Sequence, residues 1–130
     1  MPDVRTIINV DNKFGYKYKV DLLNEQSKQS VTVSPGEDRP ADNIPIPWCD
    51  SQQDLDSGRY IKTTFSKSGI PNTVNYMFQH GSQVYITNSK KQFNKKQIIS
   101  GDSEKGEGNY KINIKKITNS DLPLMVLVKY

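Results

Sequence analysis

The sequence predicts an all-β protein, a single-domain antiparallel β-sandwich of about eight or nine short strands. Apolar and polar residues alternate with a period of two along most of the chain, which is the pattern of half-buried strands. Turn residues separate the alternating runs, and no stretch has the apolar spacing of an amphipathic helix. We expect residues 1–130 to form one domain, because a chain of this length can build one hydrophobic core.

The first half of the chain has three strand-like runs before a long loop. Val4 to Val10 and Tyr16 to Leu22 alternate, and the turn-forming residues 11–15 between them predict a hairpin. Val31 to Val33 marks a third strand, which a Pro-Gly turn ends. Segment 34–58 is rich in turn residues and is predicted to be a long ordered loop.

The second half continues the pattern with tighter turns. Segments 73–79 and 83–88 flank His80-Gly81 and predict a hairpin. Segment 100–109 has three glycines and alternating charge, and it is predicted to be an exposed loop. The segment from Phe93 to Ile99 is ambiguous. The remaining predicted strands are Arg59 to Phe65, Tyr110 to Lys115 and Leu122 to Val128.

The net charge of +4 is unevenly distributed along the chain. Residues 1–60 carry 7 Lys and Arg against 10 Asp and Glu, whereas residues 61–130 carry 11 against 4. The basic half is typical either of a solvated, solubilising lysine face or of a surface for an anionic partner such as an acidic glycan or a lipid head group. Nucleic acid is the weakest of these partners, because the cations are mostly lysine and match no nucleic-acid-binding motif.

The cellular setting is predicted from what the sequence lacks. One cysteine cannot form an intramolecular disulfide, and no leader resembles a signal peptide. No apolar run approaches the roughly 18 residues of a transmembrane helix. We therefore expect a cytoplasmic protein, with release that needs no visible signal peptide as the alternative.

Rare residues are concentrated between Ile44 and Asp50, where two prolines stiffen the chain around Trp48 and Cys49. The amphipathic indole of Trp48 suits a sugar face or a lipid interface. The alternative is that Trp48 covers one end of the core and that Cys49 is a small buried filler.

Three acidic residues follow this segment. Asp50, Asp54 and Asp56 precede Gly58, and carboxylates beside a glycine turn can bind Ca²⁺. The spacing is not that of an EF-hand, and the alternative is that these residues cap turns. We predict no other cofactor and no structural metal site.

His80 is the only histidine, and Tyr60 and Tyr85 belong to a set of seven tyrosines against four phenylalanines. Tyrosine can stack on a sugar ring and bind its hydroxyls, or it can simply occupy half-buried strand positions. A catalytic pair of Cys49 and His80 is not expected, because no nucleophile motif surrounds the cysteine.

The N-terminal strand-like runs, the motif Val31-Thr32-Val33-Ser34-Pro35-Gly36-Glu37 and the polar loop after it resemble the aegerolysins over residues 5–65. That resemblance implies a small β-sandwich that binds membrane lipids. This chain departs from the family in its basic charge and its single tryptophan, and we assign no functional residue from the resemblance.

We therefore predict a non-enzymatic, lectin-like module that binds carbohydrate. The first alternative is a membrane-binding or toxin-like β-sandwich, and the second is a structural protein that assembles into a homo-oligomer. The predicted ligand-binding residues are Trp48, Asp50, Asp54, Asp56, Tyr60, His80 and Tyr85.

Overall fold

A computed structural model describes residues 4–13, 17–116 and 123–130, and their strands form two sheets. The strands are β1 (Arg5–Asp11), β2 (Lys19–Asn24), β3 (Ser30–Val33), β4 (Asp38–Pro45), β5 (Ile61–Ser66), β6 (Thr73–His80), β7 (Gln83–Thr87), β8 (Gln97–Ile98), β9 (Ser100–Gly101), β10 (Gly108–Lys116) and β11 (Leu124–Lys129). One short helix, α1 (Gln52–Asp56), and a 3-10 turn at Phe93–Lys95 complete the described elements.

The first sheet has the strand order β4-β1-β10-β11-β9, and the second has the order β3-β2-β5-β6-β7-β8. Most neighbours are antiparallel, but β1 with β10 and β11 with β9 are parallel. The predicted all-β sandwich is confirmed. The described part of the chain has more strands than predicted, and β8 and β9 have only two residues each.

The hydrophobic core lies between the two sheets and follows the period of two. Val20 and Leu22 of β2 face Ile112 of β10 and Leu127 of β11 within one cluster of buried side chains. Burial of apolar surface contributes about 25 cal/mol per Å², so this interior is the main source of stability.

The predicted hairpin between the first two strands is wrong, because β1 and β2 lie in different sheets. Asn12 explains the error. Its side chain is buried and donates to the carbonyls of Tyr18 at 2.8 Å and Ser34 at 3.1 Å, and its backbone N–H donates to the carbonyl of Glu37. Asn12, a residue type common in turns, therefore holds the connection by which the chain passes from one sheet to the other. Tyr16 lies outside the described residues.

The hairpin predicted from segments 73–79 and 83–88 is confirmed as β6 and β7. His80 pairs with Gln83, which leaves the two-residue loop Gly81-Ser82. Gly81 has φ of +62°, as tight hairpin turns require.

Two loop predictions need correction. Segment 34–58 contains β4 and α1, and segment 100–109 begins with β9 and ends in the start of β10. The sequence of β4 resembles a loop because it is an edge strand, where proline and charged residues are tolerated and only Ala41 and Ile44 are buried. The ambiguous segment contains the 3-10 turn and β8, and Leu122 lies outside the described residues.

Candidate functional site

A second apolar cluster lies on the outer face of the second sheet, away from the inter-sheet core. Cys49, Leu55 and two aromatic residues are buried in it, and three further rings are half-buried. We call its five rings the aromatic face. They are Tyr60, Tyr76, Phe78, Tyr85 and Phe93.

The alternation of β6 directs its aromatic side chains outward. Met77 packs in the inter-sheet core, so Tyr76 and Phe78, its neighbours along the strand, project to the opposite side. Outer faces of antiparallel sheets are usually polar. An apolar outer face must therefore be covered, and the segment that contains α1 covers part of it through Cys49 and Leu55.

Two inward residues of β6, Asn75 and Gln79, are polar and buried on either side of Met77, and Arg5 supplies a partner for Gln79. Arg5 is 0% exposed and donates to Gln79 Oε1 at 2.6 Å and to the carbonyl of Ser82 at 2.9 Å. Gln79 in turn donates to the carbonyl of Ile46 at 3.1 Å. These bonds give partners to both terminal nitrogens of Arg5 and to the side chain of Gln79, whereas Arg5 Nε and Asn75 Oδ1 are buried without a hydrogen-bond partner among the described residues.

Gln52 connects the covering helix to the segment around the 3-10 turn. Its Nε2 donates to the carbonyl of Lys91 at 2.9 Å, and its Oε1 accepts from the backbone N–H of Phe93 at 2.8 Å. Ser51 begins the helix, because its Oγ accepts from the N–H of Asp54 at 3.1 Å. One amide side chain thus fixes the backbone that carries both Lys91 and Phe93.

The rings of the aromatic face form two groups. In the first, Phe78 stacks on Phe93 with centroids 5.6 Å apart, and its centroid is 6.3 Å from that of Tyr85. In the second, Tyr60 and Tyr76 meet edge to face at 4.8 Å. Such pairs contribute about 0.5–1.5 kcal/mol beyond their burial, so the face is a rigid platform.

A lysine lies over each group of rings. The Nζ of Lys96 is 4.0 Å from the centroid of Phe93 and 5.4 Å from that of Tyr85. The Nζ of Lys91 is 5.1 Å from the centroid of Tyr60 and 5.4 Å from that of Tyr76. The aromatic face therefore combines apolar rings with positive charge.

A polar pair borders the first ring group. His80 Nδ1 lies 3.0 Å from Asp50 Oδ1, and the two side chains are 36% and 67% exposed. The imidazole meets Phe93 edge to face, with centroids 5.2 Å apart, and its centroid is 6.1 Å from that of Tyr85. The structure thus brings the predicted residues Asp50, His80 and Tyr85 together.

Trp48 is half-buried and lies on the other side of the sheet from His80. It forms a parallel bridge with Gln79, and residues paired in a bridge project to the same side. Gln79 faces Arg5, so Trp48 belongs to that end of the sandwich, whereas Cys49 reaches the outer cluster. Trp48 is therefore separate from the aromatic face.

The remaining predicted acidic residues have local structural partners. Asp54 Oδ2 accepts from the N–H of Asp50 at 3.1 Å, and its Oδ1 is 4.0 Å from Arg59 Nε. Asp56 Oδ1 accepts from Gln52 Nε2 at 2.9 Å. Across residues 4–13, 17–116 and 123–130, no group of three or more His, Cys, Asp or Glu is arranged to hold a metal ion.

Cys49 is fully buried, and its Sγ donates to the carbonyl of Ser51 at 3.5 Å. Burial, with a smaller effect of the Asp54 and Asp50 carboxylates, raises the pKa of the thiol to about 11. A nucleophilic cysteine needs a lowered pKa, so this environment favours the inert thiol. Burial, and then the charge of Glu25, also raises the pKa of Tyr60.

Sequence reasoning missed six residues of this site. Alternation showed that Tyr76 and Phe78 share one phase, but only the buried Arg5 and Gln79 reveal which phase faces outward. The others lie in segments without a periodic pattern. The missed residues are Gln52, Tyr76, Phe78, Lys91, Phe93 and Lys96.

Comparisons with protein-family models, curated proteins and solved structures found no match. Within the described residues, no helix is long and apolar enough to cross a membrane.

Proposed function

We propose that the protein is a non-enzymatic carbohydrate-binding module and that the sugar binds where the aromatic face meets the Asp50–His80 pair. One observation carries the proposal. The half-buried rings of Tyr85 and Phe93 border the imidazole of His80, which in turn contacts the exposed carboxylate of Asp50. Ordered rings beside a few convergent polar groups are the usual composition of a small-ligand site.

The two parts of this site would recognise different parts of a sugar. The apolar C–H face of a pyranose ring packs against an aromatic face such as that of Phe93, and dispersion and the ring quadrupole stabilise the contact. The hydroxyls at the ring edge donate to the Asp50 carboxylate in charge-assisted hydrogen bonds. His80 orients that carboxylate through the 3.0 Å contact.

Lys96 must move for a sugar to stack on Phe93, because its Nζ lies 4.0 Å from the ring centroid. Displacement breaks this cation–π contact, which at exposed sites stabilises by about 0.5–1 kcal/mol, and also the 3.4 Å hydrogen bond from Nζ to the carbonyl of Phe93. The displaced ammonium group then donates to sugar oxygens, which replaces these contacts when the ligand binds.

The membrane alternative has weaker support in the described surface. The exposed large hydrophobic residues there are Val4, Ile98, Leu124 and Tyr130. Of these, Ile98 and Leu124 line one cleft of about 220 Å³, and none belongs to the aromatic face. A lipid-binding surface needs a contiguous apolar patch, so the aromatic face fits a sugar better than a bilayer.

A glycan array followed by calorimetry tests the proposal. We expect binding to a subset of glycans, weakened about tenfold or more by Phe93→Ala and by Asp50→Asn. Tyr130→Ala is the matched control for loss of an aromatic ring, because Tyr130 is exposed elsewhere. Silence across the array, or binding that both site variants leave intact, contradicts the proposal. Binding to anionic liposomes in place of glycans supports the lipid alternative.

A further inference from the structure

A second basic site lies at the opposite end of β5 from Tyr60. The chain there forms a cleft of about 380 Å³, and none of its lining residues is acidic. The lining residues are Lys17, Lys19, Pro35, Ser66, Lys67 and Ser68.

The sheet register places this cleft on the same outer face as the aromatic residues. Lys19 pairs with Ser66 across β2 and β5. Their neighbours Val20 and Phe65 are buried in the inter-sheet core, so Lys19 and Ser66 project outward. Lys67 and Ser68 follow at the turn that ends β5.

Within the part of the chain that the structure describes, no carboxylate forms an ion pair with Lys19 or Lys67 of this cleft. The Nζ of Lys67 lies 5.4 Å from the centroid of Tyr18. Asp21 shares the outward phase of β2, but its Oδ1 accepts from Thr32 Oγ1 at 2.5 Å. The cleft thus presents the ammonium groups of Lys19 and Lys67 and two serine hydroxyls, and its described lining contains no acidic residue.

We propose that this cleft binds a tetrahedral oxyanion, namely the sulfate or phosphate ester of an acidic glycan. Ammonium groups act as point charges toward such an anion, and the hydroxyls of Ser66 and Ser68 add directed donors. The cleft volume accommodates one ester group. The glycan part of this inference rests on the proposed function, whereas binding of the oxyanion does not.

The outward residues of β5 connect the two sites. From Tyr60 to Ser66 the strand covers roughly 20 Å at about 3.3 Å per residue. Lys62 and Thr64 share the outward phase between them, since Ile61 and Thr63 are buried. A linear glycan can therefore extend from the aromatic face along β5 and place an ester group in the cleft.

The oxyanion is tested first, without any glycan. Sodium sulfate and then phosphate are titrated into labelled protein at constant ionic strength, and amide chemical shifts are followed. We expect saturable shifts at Lys19, Ser66 and Ser68 that the Lys19→Ser/Lys67→Ser variant abolishes. Lys90→Ser/Lys105→Ser removes the same charge from exposed positions away from the cleft and should keep the shifts. Absence of saturable shifts, or their equal loss in the control, overturns the proposal.

The glycan part is tested with sulfated, phosphorylated and unsubstituted forms of one oligosaccharide. We expect the Lys19→Ser/Lys67→Ser variant to bind an esterified form about tenfold more weakly and the unsubstituted form unchanged. Comparing the affinities of the sulfated and phosphorylated forms shows which ester binds in the cleft. Equal weakening for all three forms contradicts a role in ester binding. If sulfate or phosphate causes saturable chemical-shift changes but no glycan binds, the oxyanion site stands and the proposed function is wrong.

Discussion

His80 Nδ1 and Asp50 Oδ1 lie 3.0 Å apart although the residues are separated by 30 positions in the chain. The contact joins the end of β6 to the segment that leads into α1. The same imidazole meets the ring of Phe93, with centroids 5.2 Å apart, so His80 contacts both the carboxylate and that ring. The proposed sugar site depends on this arrangement.

Asp50→Asn is expected to separate binding from folding. The amide keeps the shape of the side chain but loses the charge that strengthens bonds from sugar hydroxyls, so affinity should fall about tenfold. The Asp50–His80 contact is exposed, and even an exposed ion pair contributes only about 0–1 kcal/mol, so the free energy of unfolding should hardly change. Calorimetry and chemical denaturation measure the two quantities. A large loss of unfolding free energy with unchanged glycan affinity would show that Asp50 stabilises the fold and does not bind the sugar.

Arg5→Met is expected to lower the free energy of unfolding by about 1–3 kcal/mol. The change leaves Gln79 Oε1 and the carbonyl of Ser82 without this buried donor, and unsatisfied buried groups are costly. Arg39→Met is the control, since the Arg39 side chain is half exposed. Urea denaturation measures the difference. Equal or greater stability of Arg5→Met would show that apolar packing replaces the buried charge without loss.

Gln52→Ala is expected to loosen the segment around the 3-10 turn with little effect on the rest of the fold. The variant loses the contacts to the carbonyl of Lys91 and the N–H of Phe93, so the aromatic face becomes less ordered and binds more weakly. Hydrogen exchange should accelerate at Phe93 while protection of the core strands is retained. Gln53→Ala, at an exposed position of the same helix, is the control. An unchanged rate of hydrogen exchange at the Phe93 amide would show that Gln52 does not hold this segment in place.

The buried thiol predicts a pH dependence of stability. The pKa of Cys49 is raised from 9.0 to about 11, so the unfolded chain loses the proton at a lower pH than the folded chain. The contribution is fully present below about pH 9 and is lost as pH rises toward 11. Tyrosines and lysines also titrate in this range, so the comparison is with Cys49→Ala. The variant should show a shallower decline of unfolding free energy, and identical slopes would contradict the prediction.

The sequence predicts the sandwich well because burial imposes a period of two on strands such as β6 and β7. It predicts loops less well, because β4 pairs at a sheet edge through its backbone while its side chains stay polar. The predicted hairpin of β1 and β2 is wrong for a related reason. A turn sequence such as that around Asn12 does not show whether the chain returns to the same sheet or crosses to the other.

The candidate site was predicted in part. Asp50, His80 and Tyr85 were expected and lie together, whereas Trp48 lies on the opposite side of the sheet. Phe93 and Lys96 come from a segment without periodicity, and a contact such as 4.0 Å between an ammonium and a ring centroid depends on tertiary packing. Local patterns carry no information on such contacts.

Chemical-shift mapping with a glycan found on the array shows where on the protein a sugar binds. We expect saturable perturbations at Asp50, His80, Tyr85 and Phe93, and Phe93→Ala should remove them while the protein stays folded. Perturbations confined to the opposite side of the sheet around Trp48, or to the cleft at Ile98 and Leu124, would contradict the proposed sugar site.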